Sequence, residues 1–207
     1  MDFDLFIKTT LYFLALINPA SKVFILSTMQ PAYTKTELLK VSAKASFVAL
    51  IILLVISAAG LVVLHSIFQV DVYSLRVAGG IILFIIGLTA VRKGRFYEQN
   101  IQDAMANDIS IVPLAAPLIA GPGTITAAIS YSSEHNMVLT MVALTAAVAI
   151  NFVIMLSSVW IGKLLEKIHA FGPLIRITGL IVAAVSVQMI LSGISEWLIQ
   201  TLSSIKP

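Results

Sequence analysis

The chain has no cysteine. That excludes disulfide frameworks, thiolate metal sites and thiol nucleophiles together. Charge is also scarce. Asp, Glu, Lys and Arg make up 11% of the 207 residues, against about 25% in ordinary soluble domains. Hydrophobic residues make up 59%, and mean hydropathy is +1.01. A soluble fold of this composition has too few polar groups to cover its surface, so the remaining apolar area calls for lipid. No nucleotide-binding P-loop, HExxH or GxSxG pattern occurs, which speaks against ATP-driven transport by this chain alone and against an intramembrane enzyme. The net charge of +3 does not indicate nucleic acid, because the basic residues sit between apolar runs.

What is present is a series of long apolar runs. A helix crossing about 30 Å of hydrocarbon needs roughly 20 apolar residues. Six such segments are expected, at 5–30, 43–64, 72–91, 109–131, 137–160 and 174–194. The polar stretch 92–108, RKGRFYEQNIQDAMAND, is the natural link between a first half, 1–91, and a second, 109–207. Asp2 and Asp4 stand where a secretory signal carries basic residues, so the first segment is expected to belong to the mature protein. Lys35, Lys40, Lys44, Arg92, Lys93, Arg95, Lys163 and Lys167 gather in or beside the loops near 31–42, 92–108 and 162–173. The positive-inside bias makes that face cytoplasmic and puts both termini outside. Tyr33 and Trp160 mark cytoplasmic ends, while Tyr73, Tyr131 and Trp197 mark outer ends.

The halves resemble each other. LRVAGGII at 75–82 matches IRITGLIV at 175–182, with Arg76/Arg176, Gly79/Gly179 and Ile81/Ile181 aligned. ALINPAS at 15–21 matches LIAGPGT at 118–124. Three helices per half reverse the chain's direction, so the repeats are expected to be inverted about an axis in the membrane plane. Arg76 and Arg176 then lie at opposite faces.

Each repeat carries a break. Asn18-Pro19 lies within the first segment and Gly121-Pro122-Gly123 within the fourth. Proline removes a donor and clashes with the preceding turn. Asn18 is expected to cap a half-helix over 19–30, and Gly121 to start one over 122–131. The new N-termini free the amides of Ala20, Ser21 and Lys22, and of Gly123, Thr124 and Ile125. The preceding turns free carbonyls near 14–17 and 117–120. Such groups must be buried or line a cavity. Free amides suit an anion and free carbonyls a cation, so the pair suits a small zwitterion. The candidate binding residues are Asn18, Pro19, Ala20, Ser21, Gly121, Pro122, Gly123 and Thr124. The alternative is a pair of ordinary proline kinks.

INPAS (17–21), LRVAGGII (75–82), IVPLAAPLIAGPGTI (111–125) and the RITGLIV…VQ…SGI pattern (176–194) resemble the MarC family of multi-pass inner-membrane proteins. The resemblance spans nearly the whole chain. It implies a six-helix bundle of inverted repeats that carries small neutral amino acids such as glycine, alanine or serine. Family members often have Gly and then a small or polar residue where this chain has Ser21 and Lys22, and a lysine there narrows or recharges the cavity.

Two further polar residues are candidates for the cavity lining. Lys22 either contacts the ligand or snorkels toward the cytoplasm. Asn151 either bonds a neighbouring helix or lines the cavity. None of the ten acidic residues falls at mid-segment, which argues against proton coupling through a buried carboxylate. A coupling cation, Na⁺ or H⁺, remains open, and no cofactor or metal is implied. The sequence-level reading is a secondary transporter in the cell membrane. An ion or small-solute channel, or an efflux protein, is the alternative.

Overall fold

The structure is a computed structural model that describes residues 3–28, 33–96 and 114–205. All regular structure among them is helical. In chain order the helices are α1 (Phe3–Ile17), α2 (Pro19–Thr28), α3 (Lys35–Ser66), α4 (Val72–Lys93), a π-helical turn α5 (Leu114–Ile119), α6 (Pro122–Glu134), α7 (Met137–Leu156), α8 (Ser158–Lys167) and α9 (Phe171–Ile205). Five stretches among the described residues are long and apolar enough to cross a membrane: 3–28, 35–60, 72–93, 137–156 and 171–203.

Several boundaries differ from expectation, each for a local reason. α3 starts at Lys35 rather than 43. Thr34 and Glu37 form a reciprocal capping box, with Thr34 N–H donating to Glu37 Oε2 at 2.9 Å and Glu37 N–H to Thr34 Oγ1 at 3.3 Å. This pins the helix start eight residues early, and Lys35 and Lys40 lie on the helix rather than in a loop. The run 137–160 splits at Ser157, where α7 gives way to α8. α9 runs eleven residues past 194, to Ile205. The segment expected at 109–131 is not one continuous helix. Its described part is the α5 turn followed by α6. Within α5, Ala116 has extended backbone (φ −134°, ψ 125°) and Ala120 N–H reaches back to the Ala115 carbonyl at 2.8 Å. Pro117 has no amide to offer a regular ladder. Residues 97–113, which hold most of the expected linker, lie outside the described residues.

α4 and α9 form a close antiparallel pair. Gly80 faces Ile190, Gly87 faces Ala183, and Gly193 faces Tyr73. A Cβ at Gly87 would stand 2.7 Å from the Ala183 nitrogen and 2.8 Å from the Gly179 carbonyl, so glycine is what lets the backbones approach. α6 packs against α3 and α4, α7 against α1 and α3, and α2 against α8. The shared interior includes Phe13, Ile17, Leu53, Leu118, Ala127 and Ala143. Large apolar side chains also point outward, among them Phe47, Val55, Ile85, Val153, Leu180 and Leu191. This outer apolar surface is what lipid must solvate, so the hydrophobic effect holds the bundle in the bilayer while close packing holds it together.

Candidate functional site

The chain is interrupted at both Pro-centred places. At the first, α1 ends and Asn18 takes a left-handed conformation (φ 55°). Asparagine tolerates this better than most residues, and it serves here as the terminating residue of α1. Asn18 N–H donates to the Leu14 carbonyl at 2.9 Å. This corrects the expected role of its side chain, which accepts no cap bond from α2. The Asn18 carbonyl instead receives Ser21 N–H at 3.2 Å and Ser21 Oγ at 2.8 Å. The amide of Ser21 is therefore engaged, not free.

At the second break, Gly121 is extended (φ −85°, ψ 170°) and Pro122 opens α6. The Thr124 hydroxyl folds back over the gap. It donates to the Ile119 carbonyl at 2.8 Å and accepts Gly121 N–H at 2.9 Å. Gly123 lies against Leu83 of α4, and a Cβ at Gly123 would overlap that side chain.

The two breaks meet at one cavity. Asn18, Ser21 and Lys22 line it from one side, and Gly121, Pro122, Gly123 and Thr124 from the other. Pro19 and Ala20 are half-buried and do not line it. The cavity is tight. About 20 Å³ is open to the centre of a water molecule, room for about one water.

Lys22 is the unexpected element. It is 1% exposed, so it does not snorkel to an interface. Its ammonium donates to the Ile17 carbonyl and, at 2.5 Å, to the Leu118 carbonyl. One side chain thus bridges the last carbonyl of α1 and a carbonyl of α5, which are the groups expected to receive a ligand's ammonium. Lys22 makes no ion pair with any described carboxylate.

Asn151 is fully buried but away from this cavity. Its Nδ2 faces Met155 Sδ at 3.2 Å, within its own helix. Sequence reasoning missed Leu83, Ile86, Phe96 and Val182, which complete the lining. The signal was available in part, because Leu83 and Val182 lie at or beside the ends of the two matched stretches 75–82 and 175–182.

A second polar cluster lies where the start of α4 meets the ends of α6 and α9. Arg76 is buried and pairs with Glu134 and, at 3.2 Å, with Glu196. It opens onto a wider cleft of about 620 Å³. Arg176 sits at the other end of the α4–α9 pair, where it donates to the Val91 carbonyl at 2.5 Å. Among the described residues, no group of three His, Cys, Asp or Glu is placed to hold a metal ion.

Comparison with known proteins places the chain among membrane proteins. The chain is 34% identical over 191 residues to a UPF0056 membrane protein of Pyrococcus horikoshii, covering 90% of this chain and 92% of that one. It is 32% identical over 207 residues to the UPF0056 membrane protein YvbG of Bacillus subtilis, covering 94% and 96%. A UPF0056 membrane protein of Methanocaldococcus jannaschii is 33% identical over 204 residues, covering 94% and 98%. No solved structure matches. Residues 3–198 match the MarC family of integral membrane proteins, and the chain, a multi-pass membrane protein, belongs to that family.

Proposed function

We propose that this protein is a secondary transporter. It carries a small carboxylate-bearing solute through the gap between its two helix breaks. The observation that carries the reading is the shared cavity, where Asn18, Lys22, Gly123 and Thr124 converge from opposite breaks. Interrupted membrane helices whose ends face one another are the recurring substrate sites of transporters built from inverted repeats. Small neutral amino acids are the class implied by the family resemblance, and they head the panel to be tested.

The proposal includes six membrane crossings, with α5 and α6 belonging to the fourth. It also includes inverted repeats and termini on the outer face. The antiparallel α4–α9 pair supports this arrangement, with Arg76 at one end and Arg176 at the other. The Lys/Arg bias of the loops supports the orientation. Reporters fused at the C-terminus and at residue 134 are expected to report the outer face, and one at residue 100 the cytoplasm. A cytoplasmic C-terminus sinks this topology.

The cavity is too small here for an amino acid, so transport requires the breaks to part, first toward one face and then the other. The direct test is uptake of labelled small carboxylates, amino acids included, into proteoliposomes. Gly123→Val is expected to abolish uptake while leaving the protein inserted. If Gly123→Val and Asn18→Ala both transport at wild-type rates, the breaks are kinks and the site lies elsewhere.

A further inference from the structure

We infer that Lys22 is the built-in cation of this site, and that the ligand completing it is a small carboxylate anion with no ammonium of its own. This rests on the site proposed above and names its ligand class.

The acceptor side of the cavity is filled from within. The carbonyls of Ile17 and Leu118 receive Lys22. The Ile119 carbonyl receives the Thr124 hydroxyl, and the Asn18 carbonyl receives the Ser21 hydroxyl. The donor side is not filled. Asn18 is 7% exposed and lines the cavity, and its Nδ2 has no hydrogen-bond partner among the described residues. The Lys22 ammonium has three hydrogens and meets two carbonyls, and its charge meets no described carboxylate. The first turn of α6 lines the same space, and a helix start favours negative charge.

A carboxylate accepts hydrogen bonds at two oxygens and donates none, so it matches a site made of donors. It would also neutralise a buried charge that is otherwise expensive in a membrane protein. A zwitterion must in addition lodge an ammonium, and the two carbonyls suited to it already hold the Lys22 ammonium, whose charge repels a second cation. A coupling Na⁺ at the same carbonyls would stand against the Lys22 charge. Leu83, Ile86 and Val182 are also on the wall and would face a short apolar tail once the breaks part.

The test is a matched pair of ligands, propionate and alanine, which differ by the ammonium. Purified full-length protein in lipid nanodiscs is titrated with each. Wild type is expected to bind propionate roughly tenfold or more tighter than alanine, the scale of one charge-assisted hydrogen bond. Lys22→Ala vacates the carbonyls, and the preference reverses toward alanine. Lys22→Met fills the space without charge. It weakens propionate roughly tenfold and gains nothing for alanine. If Lys22→Ala fails to fold, the Lys22→Met arm decides alone. Wild type binding alanine as tightly as propionate overturns the ligand class, and so does Lys22→Met binding propionate normally. In either case, loss of binding in Gly123→Val leaves the site itself standing. Binding of neither acid, or binding indifferent to Gly123→Val, overturns the site as well.

Discussion

Lys22 and Arg76 are both buried cations among the described residues, and the protein treats them oppositely. Arg76 meets two carboxylates, Glu134 and Glu196, which arrive from the ends of α6 and α9. Lys22 meets only backbone carbonyls. Arg76 has its counter-charges within the fold, so its contribution is to hold three helix ends together. A charge without a counter-charge costs stability wherever it is buried. Retaining one between two helix breaks is the kind of local inconsistency that marks a working site. On the proposed reading, stability belongs to the Arg76 end and binding to the Lys22 end.

Four substitutions test that division, from the largest expected effect to the smallest. Gly123→Val drives a branched side chain into Leu83 at the mouth of the second break. Uptake should vanish while the protein still inserts and elutes normally on size exclusion. Normal uptake would detach the breaks from function.

Arg76→Met should act on stability. It leaves Glu134 and Glu196 facing each other without their shared cation. Because both carboxylates are about a third exposed, the cost should be about 1–3 kcal/mol, below that of a fully buried broken pair. Thermal unfolding in detergent reads this as a clear drop in midpoint, and Glu134→Gln with Glu196→Gln in the Arg76→Met background should recover part of it. An unchanged midpoint would remove the contrast with Lys22.

Lys22→Met should show the reverse pattern. No carboxylate is stranded. The relief of removing a buried charge without a counter-charge is set against leaving the Ile17 and Leu118 carbonyls without a donor, so the net change in stability should be at most about 1 kcal/mol, while ligand binding falls. A large loss of stability with binding intact would make Lys22 a structural tie between the two breaks. Ser21→Ala is the mildest. It removes one hydroxyl bond to the Asn18 carbonyl, which keeps the Ser21 amide. The expected cost is about 0.5–1.5 kcal/mol, with uptake near wild type. Abolished uptake would mean that the hydroxyl itself touches the ligand.

Much of the fold was legible because membrane crossing leaves a plain signature in apolar length. Even so, α3 began early for a reason written in the sequence, since Thr34-x-x-Glu37 is a capping box that hydropathy alone ignores. Both interruptions were legible from Asn18-Pro19 and Gly121-Pro122-Gly123, because proline and glycine act on their own backbone. The manner of the first was not. Asn18 ends α1 in a left-handed turn rather than capping α2 with its side chain, and either use of asparagine fits the same letters.

The sequence by itself determined the solvent, the helical class and the places where the helices break, since each depends on composition or on a few adjacent residues. Only the tertiary structure decided what fills the breaks. Lys22 has a long flexible stem that reaches an interface or a carbonyl equally well. Its choice was made by Leu118, 96 residues away along the chain. Arg76 likewise found Glu134 and Glu196 only because α4, α6 and α9 bring their ends together. A side chain's partner across the bundle is set by helix packing, which no local pattern encodes.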